Sequence, residues 1–142
     1  MFSLSGENGT SSMKPDSIEW FIKKISNLPS DKPVAYRTPG YNNYMTQKDH
    51  WLGWIDPNSN TGTYQRASRP DRDARYVYNH IMEPKMLLWL ASASGVNSGV
   101  IEEAMLASEN ASSFASRSAA VRKIIPWAVV SAALSALESE DG

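Results

Sequence analysis

The sequence predicts a mainly α-helical protein, a single-domain bundle of about five to six short helices with a loop-rich aromatic segment over residues 30–69. Three observations carry this. Apolar residues recur at helical spacing near the N-terminus and again beyond residue 70. Capping residues or prolines stand where these runs begin. Prolines, glycines and asparagines crowd the stretch between. At 142 residues, 42% hydrophobic and 20% charged, the chain has enough apolar content for one core and lies outside the composition of disordered chains. We divide it into a mobile N-terminal arm, residues 1–13, and one helical domain, residues 14–142.

The arm is Ser-, Gly- and Asn-rich, with little to bury. After Pro15, Asp16 and Glu19 form a capping-box arrangement. Ile18, Phe21, Ile22 and Ile25 share a face, which predicts a helix ending near Leu28, before Pro29. From Ser30 to Arg69, Pro33, Pro39-Gly40, Asn42-Asn43 and the run Asp56 to Asn60 read as turn chemistry. That leaves room for one short helix, capped by Thr46 and Asp49 and carrying Trp51, Leu52, Trp54 and Ile55, and for a weak strand from Val34 to Tyr36.

Beyond Pro70 the helical pattern returns, with Asp71 and Asp73 complementing the dipole and Ala74, Val77, Tyr78 and Ile81 on one face. Glu83-Pro84 marks a break. Met86 to Ser94 is apolar nearly all round and is expected to be the central buried helix, capped by Gly95. Ser98 is the expected N-cap of the next helix, whose inward face is Ile101, Ala104 and Met105. Two further helices present Phe114, Val121 and Ile125, then Trp127, Val130, Leu134 and Leu137.

Composition excludes several classes of function. The chain has no cysteine, which removes disulfide scaffolds, thiolate metal sites and cysteine nucleophiles, and makes a reducing, cytoplasmic location the simplest expectation. Met1 to Thr10 has neither the basic nor the apolar region of a secretory signal. The run Ile124 to Leu134 is about half the ~20 residues of a membrane span and contains Pro126, so no membrane association is predicted. A net charge of −1 gives no global attraction to nucleic acid. Residues 61–95 are nevertheless locally basic, and the far end is acidic.

Residues Tyr36, Tyr41, Tyr44, Trp51, Trp54 and Tyr64 interleave with asparagines and adjoin Arg66, Arg69, Arg72 and Arg75. Large rigid rings on loops gain contact area for little lost entropy, and arginine suits bidentate interface contacts. The expected function is therefore protein binding, through Tyr41, Tyr44, Trp51, Trp54, Tyr64, Arg66, Arg69, Arg72 and Arg75. The opposing reading places the rings in the core and neutralises two arginines with Asp71 and Asp73.

Two alternatives stay open. Leu90, Ala91, Gly95, Val96 and Ile101 have the spacing of a helix-turn-helix unit, and with the arginine stripe they would suit nucleic acid, although Glu102 and Glu103 on the second helix oppose phosphate and an ordinary Gly-capped hairpin explains the spacing as well. A small-ligand or enzyme site near Arg37, His50, Arg72 and His80 rests on residue types alone, including a His80–Glu83 pair on one helical face and a turn at Tyr36 to Gly40. No catalytic motif, metal set or cofactor is predicted. A homodimer through the apolar Trp127–Leu137 helix is a further alternative.

Overall fold

The computed structural model describes residues 14–31, 34–38, 41–55 and 73–141. The expected arm, the Pro39-Gly40 turn and residues 56–72 lie outside them. The described elements are α1 (Ile18–Ser26), β1 (Val34–Thr38), β2 (Tyr41–Met45), α2 (Gln47–Ile55), α3 (Ala74–His80), α4 (Pro84–Ser94), α5 (Ser98–Glu109), α6 (Phe114–Ile124) and α7 (Trp127–Asp141). The chain is thus mainly helical, with seven described helices where five to six were expected.

Helix α4 is the centre, packing against α2, α5, α6 and α7. Its run of apolar residues lets it be covered from several sides, and Met86, Leu87, Leu90 and Ala91 are fully buried. Pro84 occupies its first turn, where a missing N–H costs nothing. Gly95 ends it at φ 100°, a left-handed conformation that a side chain would strain. There the Gly95 N–H donates to the Ser92 carbonyl at 3.2 Å and the Val96 N–H to the Ala91 carbonyl at 3.0 Å, satisfying two terminal acceptors.

The N-terminal cap differs from the expected capping box. Ser17, not Asp16, caps α1, its hydroxyl accepting from the Trp20 N–H at 3.1 Å. Asp16 itself takes a positive φ of 80° and acts over long range. Its carboxylate accepts from the Trp127 indole N–H at 2.9 Å, and its carbonyl accepts from the Ala74 N–H at 2.7 Å. One residue thereby fastens the starts of α1, α3 and α7 together.

Trp127 is the hub of an aromatic cluster. Its ring meets Phe21 edge-on at 5.5 Å, Trp20 edge-on at 6.2 Å and Tyr78 at a tilt at 5.4 Å. Val121, Ile125, Val130 and Leu134 continue this core.

A polar clamp closes α3. The Tyr78 hydroxyl donates to the Ile125 carbonyl. Arg122 on α6 donates from Nε to the Tyr78 carbonyl at 2.7 Å and from its terminal nitrogen to the Met82 carbonyl at 2.8 Å. Burial pushes the Tyr78 phenol well above its ordinary range, opposed by the nearby Arg122 charge, and burial also pulls the Arg122 guanidinium below its usual value.

Two residues expected to face inward do not. Met105 is 41% exposed and Phe114 59% exposed. The buried positions on α5 and α6 include the small residues Ala104, Ser108 and Ser118, and the two helices pack against each other and against α4. The N-cap of α5 is also one residue earlier than expected: Asn97, not Ser98, accepts from the Gly99 and Val100 N–H groups.

Candidate functional site

The aromatic segment expected to be mainly loop contains an antiparallel hairpin. Thr38 pairs with Tyr41, Arg37 with Asn42, Tyr36 with Asn43 and Ala35 with Tyr44, so the segment Tyr36–Thr38, considered as a ligand-gripping turn, is strand. The strand expected over Val34 to Tyr36 extends to Thr38 and gains a partner. Among the described residues the sheet has these two strands alone, so each has one edge without a ladder partner.

Helix α2 joins the hairpin to the bundle. Thr46 caps it as expected, its hydroxyl accepting from the Asp49 N–H at 2.9 Å. Asp31 accepts from the Gln47 N–H at 2.8 Å, and Lys48 Nζ donates to the Leu28 carbonyl at the end of α1 at 2.7 Å. These ties turn Trp51 into the core, where it is 1% exposed. Trp51 is therefore packed in the core, the place that the opposing reading gives the rings. Trp54 lies one turn further along α2.

His50, on the same helix, is half-buried, and burial lowers its pKa below the ordinary 6.5. The unfolded chain then holds this proton more readily than the folded one. The His50 contribution to stability is complete above about pH 6.5 and is lost as the pH falls below it toward the depressed folded value. Chemical denaturation between pH 7.5 and 5 should show stability declining on the acid side. His50→Gln should make that decline shallower, and an unchanged slope would refute the assignment.

Of the expected arginine stripe, Arg66, Arg69 and Arg72 lie outside the described residues, as does Tyr64 beside it. Arg75 is exposed on α3, beside Tyr76, whose ring lies 4.6 Å from that of His80. Asp73 caps α3 by accepting from the Tyr76 N–H at 2.8 Å, a more specific role than the dipole complement expected of it.

The expected His80–Glu83 pair is not on one helical face, because α3 ends at His80 and Glu83 is extended ahead of Pro84. His50 and His80 sit on helices with different principal neighbours, α2 against α1 and α4, α3 against α7. Among the described residues no group of three or more His, Asp or Glu side chains could hold a metal.

The helical hairpin of α4 and α5 has the internal packing that its spacing implied. Leu90 and Ala91 are buried, Val96 and Ile101 pack against the core, and Gly95 makes the turn. Ser94 is buried with its hydroxyl donating to the Ala91 carbonyl at 3.1 Å. The outer face of α5 carries exposed Glu102, Glu103, Met105, Leu106 and Glu109. Carboxylates on the helix that would enter a DNA groove oppose the phosphates.

No family model, no curated protein and no solved structure matches this chain. No single helix among the described residues is long and apolar enough to cross a membrane.

Proposed function

We propose that the chain is a cytoplasmic protein-interaction module that grips its partner through the aromatic hairpin segment and the arginines that follow it. The observation that carries this reading is the two-stranded hairpin, whose outer edges have no ladder partner among the described residues and whose strands contain Tyr36, Arg37, Tyr41 and Tyr44. A partner segment in extended form gains main-chain hydrogen bonds by adding to such an edge, while alternate side chains supply specificity. Two strands alone are marginal in water, so a third supplied in trans also stabilises the hairpin. Arg75, and Arg66, Arg69 and Arg72 before it in sequence, favour a partner with carboxylates.

Site-specific photo-crosslinking tests the proposal. A benzophenone side chain placed at Tyr41 or Tyr44 should yield protein adducts in cells, whereas the same group at exposed Glu19 on α1 should not. Adducts dominated by nucleic acid, or equal protein capture from Glu19, would reject it.

A further inference from the structure

We propose that the outer face of α5, together with Phe114, is a second docking surface whose occupant is a cationic amphipathic helix. This surface is separate from the aromatic hairpin. Leu106 is 52% exposed, Met105 41% and Phe114 59%, all three among the large apolar residues that the fold leaves in solvent. They are close in the topology. Leu106 lies in the last turn of α5 and Phe114 opens α6 across the short connection that joins these two helices.

Helix α5 buries Ala104 and Ser108, so its inner face is already satisfied by α6 and α4. Met105 and Leu106 nevertheless leave about half of their side chains in solvent, and apolar surface exposed on one helix face suits a contact with another molecule.

Charge identifies the occupant. Glu102, Leu106 and Glu109 stand at i, i+4 and i+7, so one stripe of the helix presents an apolar centre with a carboxylate a turn to either side. Glu103 flanks the stripe. A two-fold contact with a second copy, centred on Leu106, would bring the carboxylates of one α5 against those of the other, a like-charge cost. Nucleic acid is repelled for the same reason.

A helix with leucine-like anchors at i, i+3, i+4 and i+7 and lysine or arginine flanking them satisfies both requirements. Its anchors cover Met105, Leu106 and Phe114 while its cations meet Glu102, Glu103 and Glu109.

The test uses the full chain and two fluorescein-labelled synthetic helical peptides with the same leucine positions, one with lysine and one with glutamate elsewhere. The lysine peptide should bind, with affinity falling as salt rises, and the glutamate peptide should not. Leu106→Gln should weaken binding by about tenfold or more, the loss typical of an interface anchor. Joint Glu102→Gln, Glu103→Gln and Glu109→Gln should weaken it and flatten its salt dependence. Because all these side chains are exposed, thermal melts of the variants should match the parent. Tyr44→Ala in the hairpin should leave peptide binding intact.

Equal binding of the two peptides, or insensitivity of the lysine peptide to both sets of substitutions, would overturn the proposal. So would a parent protein that sediments as a dimer and becomes a monomer on Leu106→Gln, which would make a second copy the occupant.

Discussion

Trp127→Ala is expected to lower the unfolding free energy by about 3–5 kcal/mol, the range for deleting a buried tryptophan or phenylalanine. Three effects combine at this position. The indole removes a large apolar area from water, and it fills the space between Trp20 and Phe21 on α1 and Tyr78 on α3, which are otherwise separate elements. Its N–H also satisfies the Asp16 carboxylate, whose residue holds the start of α3 through the 2.7 Å bond to Ala74. A domain of this size has only about 5–15 kcal/mol in total, so the variant should melt roughly 10 °C lower or more. Trp127→Phe keeps a ring in the cluster but loses the bond to Asp16, and should fall between. Urea denaturation of the three proteins checks the order. A loss under about 1 kcal/mol for the alanine variant would show that the aromatic cluster repacks without its hub.

The parts of this fold that the sequence discloses are those fixed by local chemistry. The break at Glu83-Pro84, the central helix after it, the left-handed Gly95 and the Thr46 cap each depend on a few neighbouring residues, and each stands where the pattern put it. The inner stripe of α7, with Trp127, Val130 and Leu134, was legible for the same reason.

Structure departs from local pattern where distant contacts decide. Asp16 and Ser17 are both good caps, and Asp16 was taken by a tryptophan 111 residues away. Asn42 and Asn43 resemble turn residues, yet they lie in β2 because pairing with Arg37 and Tyr36 outweighs their weak strand preference. Helical spacing places Met105 and Phe114 inward because they are large and apolar. The buried positions of α5 and α6 include the small residues Ala104, Ser108 and Ser118 instead, and hydrophobic patterning weights such small residues too lightly.

The same limit applies to the candidate site. Trp51 was grouped with surface rings by composition, but the ties from Asp31 and Lys48 orient α2 so that this ring is buried. No residue-type count contains that information. The exposed apolar and acidic face of α5 is readable only in part. Glu102 and Glu103 are visible as an obstacle to DNA, whereas the exposure of Leu106 and Phe114 follows from the tertiary packing of α5 and α6.

Arg122→Met should cost about 2 kcal/mol or more, even though the side chain is half-exposed, because it unmakes two charge-assisted bonds at once. The Tyr78 and Met82 carbonyls lie in and just beyond the last turn of α3, where acceptors have no partner within the helix. Arg122 spans them with its planar fork, donating from Nε to one and from the terminal nitrogen to the other. Methionine preserves most of the aliphatic stem but leaves both acceptors unmatched. Water can reach part of the opening, which keeps the cost near the lower end. Arg122→Lys retains the charge with a single ammonium that lacks the fork, and should recover no more than about half of the loss. Hydrogen exchange of the amides from Tyr78 to Glu83 should accelerate in both variants, most in the methionine one, while exchange in α5 stays near that of the parent. If lysine restored full stability, charge alone would explain the effect and the bridging geometry would be irrelevant; if methionine were as stable as arginine, the clamp would have no energetic role in joining α3 to α6.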